Sequence, residues 1–289
     1  MLKQLLRLLR RRPAVPTPTI FRVPDGKRLY AIGDIHGRSD LLDEILGTLT
    51  TDALASAERG ESPTVVFLGD YVDRGPDSRG VLDRLCALRS GPIEWRFLEG
   101  NHEMAMRAFM ADPVAHKDWL RLGGGTTLAS YGIDGPPDPM TESWLLAAAA
   151  QLADRLPSSH RSFLDNLDLL LEWGDYAFVH AGIRPGVALH AQSRSDLLSI
   201  RAPFIKSHTW HGKRIVHGHT VVRAPVVTPL RIGIDTGAYF SGRLTCLLLK
   251  DTECAFFATC DDGYGVQWLE PSSKSADSIK MSRNLNNRS

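Results

Sequence analysis

What most constrains this chain is a punctuation that recurs wherever its first three apolar runs stop. Residues 28–32 read as a strand and lead into Gly33-Asp34-Ile35-His36-Gly37. Residues 64–68 lead into Gly69-Asp70-Tyr71-Val72-Asp73-Arg74-Gly75, and residues 94–98 into Gly100-Asn101-His102-Glu103. Helical spacing follows each run. Leu41, Leu42, Ile45, Leu46 and Leu49 recur at three- and four-residue intervals after the first, a single amphipathic face. Pro76 and Asp77 open a helix through residue 88 after the second, with proline in the first turn, where its missing N–H costs nothing. A third helical segment follows Asn101. This βαβαβα alternation predicts a layered α/β domain. Ligands in such sheets gather at the carboxyl ends of strands, so Asp34, His36, Asp70, Asp73, Arg74, Asn101 and His102 are expected on one rim.

Residues 141–156 carry an alanine-rich helical pattern, favoured by propensity. Further strands are expected at 169–173, 176–180, 214–217, 226–235, 244–250 and 254–259. Two of these end in His180-Ala181-Gly182 and His217-Gly218-His219-Thr220, which add imidazoles to the rim. The chain divides into a basic N-terminal segment with a proline-rich linker (1–18), one folded domain (19–269) and a polar tail (270–289) expected to be disordered. In the first segment Leu2, Leu5, Leu6 and Leu9 form a stripe beside Lys3, Arg7, Arg10, Arg11 and Arg12. One short helix is marginal alone, so a solvated, frayed end is the first reading. Contact of residues 1–12 with an anionic membrane surface or a partner is the second.

Composition excludes several classes. In 289 residues, 34 Lys and Arg meet 33 Asp and Glu, a formal net charge of +1. No global field attracts nucleic acid, and no nucleic-acid partner is expected. No apolar run approaches the roughly 20 residues a membrane span requires, and residues 1–12 have no separate apolar core of the kind a signal peptide carries. Cys86, Cys246, Cys254 and Cys260 show no CxxC spacing, which suggests a reduced, cytoplasmic protein.

Taken singly, each motif is ambiguous. Gly-Asp can be a tight turn whose Asp caps a helix, and a buried histidine can be a satisfied core residue. Five strand ends carrying carboxylates, imidazoles and an amide are another matter, because burying so many titratable groups without a cation is costly. An oxygen and nitrogen donor set without thiolate suits Mn²⁺, Fe²⁺ or Zn²⁺ with open positions, and disfavours a closed cysteine zinc site.

GDIHG, GDYVDRG, GNHE, HAG and HGHT, in this order, resemble the metallophosphoesterases. More narrowly they resemble the phosphoprotein phosphatase family in its bacterial serine/threonine form. The resemblance implies a four-layer α/β/β/α sandwich, the calcineurin-like metallophosphoesterase fold, with two divalent ions between the sheets. Manganese is the first expectation, iron or zinc the alternatives. Asp34, His36 and Asp70 would hold the first ion; Asp70 would bridge to the second, completed by Asn101, His180 and His219. Two such ions, two carboxylates and a bridging hydroxide leave about one positive charge, and Arg74 adds another, which matches a phosphomonoester dianion. The implied reaction removes phosphate from phosphoserine or phosphothreonine in a protein or peptide. A metal-bridging hydroxide attacks without a covalent enzyme intermediate, His102 is the general acid, and Asp73 accepts its other N–H. Arg74 and Asn101 would contact the phosphate. A second arginine is expected there as well, Arg201 before its competitor Arg184, which may instead pair with a carboxylate.

Other residues have blander readings. His217 is expected to orient a ligand rather than be one, and His208 and His211 to lie in a loop. Gly123-Gly124-Gly125-Thr126-Thr127 lacks the ending of a P-loop and reads as a glycine turn. Tyr239 follows the last strand-end motif and could reach the cleft. Two other functions remain open: hydrolysis of dinucleoside polyphosphates, the activity of a cousin family, and a non-catalytic phosphate-binding scaffold.

Overall fold

The computed structural model describes residues 20–89, 91–260 and 264–269. The expected basic segment, its linker and the polar tail lie outside these residues. Eleven strands form two sheets among the described residues. In the first, the order is β11 (Val266–Leu269), β10 (Glu253–Thr259), β9 (Thr245–Lys250), β1 (Lys27–Ile32), β2 (Ser62–Phe67) and β3 (Glu94–Phe97). The second runs β4 (Leu170–Trp173), β5 (Tyr176–Val179), β6 (Arg214–His217), β8 (Arg231–Gly233) and β7 (Val226–Val227). β1, β2 and β3 are mutually parallel, as are β5, β6 and β8. Antiparallel pairing adds β9, β10 and β11 to one side of the first sheet, and β4 and β7 to the two edges of the second.

Strand side chains alternate between two faces, and here both faces are apolar. Leu29 and Ala31 of β1, Val66 of β2, Phe178 of β5, Val216 of β6 and Leu247 of β9 share one cluster between the sheets. Tyr30, Ile32, Val65, Phe67 and Cys246 point the other way. They pack under helices α1 (Ser39–Glu58), α2 (Ser78–Ala87), α3 (Asn101–Ala111), α4 (Gly124–Ser130), α5 (Glu142–Arg155) and α6 (Ser158–Asp165). On the far side, Ala177, Val179 and Ile215 meet Leu197 and Ile200 at α7 (Arg194–Ser199) and Phe204 of α8 (Ala202–Ile205). A helix α9 (Ala238–Ser241) follows β8. The result is two mixed sheets back to back with helices outside, the layered α/β arrangement expected.

Four expectations need correction. The run 226–235 is not one strand: β7 turns back on β8 through residues 228–230, with Thr228 N–H donating to Arg231 C=O. Pro76 lies before the second helix instead of in its first turn; Asp77 is the cap, accepting from Gly80 N–H. The glycine-rich stretch at 123–127 begins helix α4 after Gly123, the one residue there that needs a left-handed backbone, with φ of 115°. The first helix continues to Glu58, well past the stripe that announced it. Among the described residues, no helix is long and apolar enough to cross a membrane.

Candidate metal centre

The carboxyl ends of β1, β2 and β3 face those of β5, β6 and β8, and the expected residues converge there. Asp34, His36, Asp70, Asp73, His102, His180 and His219 are all buried. The turns that carry them are unusual. His36, Asp70, Asp73, Arg74 and His219 all have positive φ, between 48° and 74°, and Asp251 is the one other non-glycine described residue that does. Such backbone costs about 1–3 kcal/mol per residue and persists only where surroundings over-determine it.

Glu103 is one source of that constraint. Its buried carboxylate accepts the backbone N–H of Asp70 at 2.9 Å, Tyr71 at 2.7 Å, Val72 at 3.2 Å and Gly100 at 2.9 Å. It thereby ties the loop after β2 to the start of α3. Burial, with the nearby Asp70 charge, pushes its pKa up to about 8. The sequence analysis missed this residue, although Glu three positions into a helix is a capping-box signal.

The histidine tautomers point to a cation. His36 Nδ1 lies 2.9 Å from the carbonyl of Val72, and His180 Nδ1 lies 2.8 Å from that of Leu68. A carbonyl only accepts, so both rings donate from Nδ1 and present a bare Nε2. Those lone pairs face other acceptors. His36 Nε2 is 3.5 Å from Asp70 Oδ2, while His180 Nε2 is 3.4 Å from the same oxygen and 3.1 Å from Asn101 Oδ1. His219 Nε2 is buried with no hydrogen-bond partner at all. Arg74 donates to His36 Nε2, but at His180 and His219 the lone pairs meet no donor, a poor core and a good ligand cage, so the residues fit a metal pair. Two ligand groups share Asp70: His36 and His102 on one side, His180 and His219 on the other, with ligand atoms within 4.8 Å in each group.

The electrostatics agree. Burial pushes the Asp34 carboxyl well above the usual carboxylate range, and the charges of Asp235 and Asp70 push it further. Burial also raises Asp235 to about 6. It works against the charge on Asp70 too, but the imidazoles of His180, His102, His36 and His219 outweigh it and hold that carboxyl low. His36 and His219 are driven down by burial, to about 3 and about 2, and so are neutral ligands at ordinary pH. Asp34 is outside both ligand groups; its carboxylate accepts the His219 N–H at 3.0 and 3.2 Å.

Beside this cage sits a hydrogen-bonded histidine–carboxylate pair. His102 Nδ1 is 2.7 Å from Asp73 Oδ2. Trp119 Nε1 donates to the same oxygen at 2.8 Å, and Thr127 Oγ1 donates to Oδ1 at 2.7 Å. Nothing in the sequence marked Trp119, and Thr127 was read only as part of a turn. Burial opposes the His102 cation, but the Asp70 and Asp73 charges overcome it and raise its pKa.

Arg74 directs its fork inward, with Nη1 2.9 Å from His36 Nε2 and Nη2 3.0 Å from His102 Nε2. The Tyr239 ring lies beneath it, 5.0 Å from the guanidinium carbon, and meets the His36 ring edge-on. Tyr239 therefore does border the cleft. Arg184 forms a two-pronged surface ion pair with Asp196, whereas Arg201 has no carboxylate partner among the described residues, and its charge bears on His180, His219 and Asp235. His217 makes no hydrogen bond to a ligand side chain. Its ring is spent on the Gly218 carbonyl at 3.0 Å and on Arg231 at 3.2 Å, a packed core histidine instead of the orienting group expected. His211 accepts the Gly186 N–H in a loop, as anticipated.

Comparisons with known proteins agree with this geometry. A bis(5'-nucleosyl)-tetraphosphatase PrpE [asymmetrical] from Halalkalibacterium halodurans is 26% identical over 239 residues, 77% of this chain and 90% of that protein. Its counterpart from Geobacillus thermodenitrificans is 27% identical over 238 residues, 75% of this chain and 88% of that one. A crystal structure of a candidate diadenosine tetraphosphatase superposes with a TM-score of 0.55 at 20% identity, covering 83% of this chain and 94% of the other, a likeness of fold. The calcineurin-like phosphoesterase pattern matches residues 27–223, the stretch that carries all five strand-end motifs, and the chain belongs to that family.

Proposed function

We propose that the protein hydrolyses bis(5'-nucleosyl) tetraphosphates, cleaving asymmetrically to a nucleoside triphosphate and a nucleoside monophosphate. This reverses the order expected from the motifs, which put phosphoproteins first and dinucleotides second. The observation that carries the reading is the convergence of two ligand groups on Asp70, with His219 Nε2 buried and unpartnered, in a chain whose PrpE relatives are covered to about nine-tenths of their length. Asp34, His36, Asp70, Asn101, His180 and His219 would hold two divalent ions. When bound, such ions neutralise phosphate charge and bring the pKa of water toward 7.

The chain's own residues supply the rest. Arg74, and Arg201 beside it in function, bind phosphoryl oxygens, a task for which the planar guanidinium is suited. His102 gives a proton to the departing oxygen while Asp73, fixed by Trp119 and Thr127, holds the ring and its tautomer. The closed cleft keeps these groups in a medium where charge interactions count for more than in water.

The test is the product pattern on diadenosine tetraphosphate with manganese-loaded protein. ATP and AMP in equal amounts are expected. Release of inorganic phosphate from a phosphoserine peptide, with the dinucleotide untouched, would overturn the reading. One observation favours that second activity: the Asp73–His102 pair. A serine alkoxide is a poor leaving group that needs such an acid, whereas a nucleotide phosphate leaves with little help.

A further inference from the structure

Behind the second sheet lies a pocket of about 1160 Å³, slightly larger than the ~300–1,000 Å³ usual for small-molecule sites. Its walls are apolar, from Phe21, Ile205, Val222 and Leu230, and its charged members are all cations: Arg201, Lys206, Arg214 and Arg231. No carboxylate lines it, and none of these four pairs with one among the described residues. Thr220, also in the wall, has a buried hydroxyl oxygen with no hydrogen-bond partner. Arg231 is buried against His217 and Arg214 bonds the Thr228 carbonyl, but with no carboxylate to balance them these cations around apolar walls suit a ligand with a flat hydrophobic part and several negative charges.

The pocket lies next to the metal centre, though none of the metal-centre residues lines it. Thr220 directly follows His219, and Arg201 both lines the pocket and acts electrostatically on His180 and His219. The chain's own N-terminal stripe, with Lys3, Arg7 and Arg10 to Arg12, has the same sign as this wall and is not the occupant the charges call for.

We infer that this pocket seats one nucleoside end of a dinucleoside polyphosphate, with Arg201 passing its phosphate chain toward the metal centre. The inference rests on the hydrolysis proposed above and adds where the second nucleoside goes. Base and ribose lie on the apolar wall; Lys206 and Arg214 meet the phosphates nearest that nucleoside.

Two variants test it in the full chain loaded with Mn²⁺: Lys206→Glu, an exposed charge reversal, and Val227→Trp, which fills the pocket from β7. For both, the ratio of kcat/KM on diadenosine tetraphosphate to kcat/KM on p-nitrophenyl phosphate should fall by about tenfold or more, the loss of one good charge contact. ATP should inhibit p-nitrophenyl phosphate hydrolysis about tenfold less well in the variants, while inorganic phosphate, which needs only the metal centre, inhibits all three proteins alike. If the dinucleotide is cleaved and both ratios stay at the wild-type value, the pocket assignment is wrong and the hydrolysis stands. If wild type leaves the dinucleotide intact, the hydrolysis fails, and the ATP-to-phosphate inhibition ratio alone decides the pocket.

Discussion

His102 Nδ1 lies 2.7 Å from Asp73 Oδ2, and that carboxylate is held in place by the indole of Trp119 and the hydroxyl of Thr127. His102 therefore turns Nδ1 to Asp73 and Nε2 to the cleft, where Arg74 meets it. Asp73→Asn and His102→Asn should each lower kcat by about 10²–10⁴-fold on substrates with alkoxide leaving groups, the usual span for general acid catalysis. The loss should be much smaller on p-nitrophenyl phosphate, whose phenolate leaves unaided. Parallel rates on phosphoserine peptide and p-nitrophenyl phosphate make the comparison; equal losses would refute the acid role.

Asp70 is shared by both ligand groups, so its removal should cost more than that of any single histidine. Asp70→Asn should lose both ions and His180→Ala one. Metal content by plasma emission spectrometry is the direct readout, with turnover falling below 1% of wild type, a loss of roughly 3 kcal/mol or more in transition-state stabilisation. Two retained ions in Asp70→Asn would contradict the assignment.

Arg184 is committed to Asp196 at the surface, whereas Arg201 is not committed to any carboxylate among the described residues. Arg201→Ala should raise KM or lower kcat by about 10–100-fold, as expected for a lost charge-assisted contact worth ~1.5–3 kcal/mol. Arg184→Ala should stay within about twofold, because exposed ion pairs contribute little. Steady-state kinetics on the same substrate distinguish them.

Gly123 sits against Arg74: a Cβ there would come within 2.6 Å of the Arg74 backbone nitrogen, and its φ is 115°. Gly123→Ala should displace the Arg74 fork and destabilise the fold by about 1–3 kcal/mol through backbone strain alone. Denaturant unfolding and kinetics together test this; unchanged values in both would be inconsistent with the packing described.

His217 is held neutral by burial and by the Arg231 charge beside it, with a pKa of about 3 in the folded chain against about 6.5 when unfolded. The unfolded state thus takes up the proton first, so the His217 contribution is fully present above pH ~6.5 and is lost as pH falls toward 3. The acid limb of thermal stability, measured with chelator, should flatten in His217→Gln. A limb as steep as that of wild type would show that the proton goes elsewhere.

Much of the site was legible because strand ends announce themselves. Asp34, His36, Asp70, Asn101 and His219 each stand beside a glycine where an apolar run stops, His180 stands two residues before one, and topology then brings separate ends together. Asp235, after β8, obeys the same grammar and was passed over within a run read as one long strand. Trp119 was not legible at all: its indole reaches Asp73 across a packed interface, and nothing local in the sequence encodes a contact 46 residues away. His217 failed in the other direction. Its motif suggested service to a ligand, but Arg231 and a backbone carbonyl satisfy it first. Substrate choice was read from loop motifs shared among cousins, and those motifs are occupied with metal and phosphate, which every cousin handles.

The left-handed turns at His36, Asp70, Asp73, Arg74 and His219 place the candidate metal centre and the least comfortable backbone among the described residues at the same address. Glycine at any of these positions would relax the chain and disarm the enzyme in one step. Heat-hardened descendants of this protein should therefore accumulate their improvements in helices and outer strands, leaving these five turns as tense as they are now.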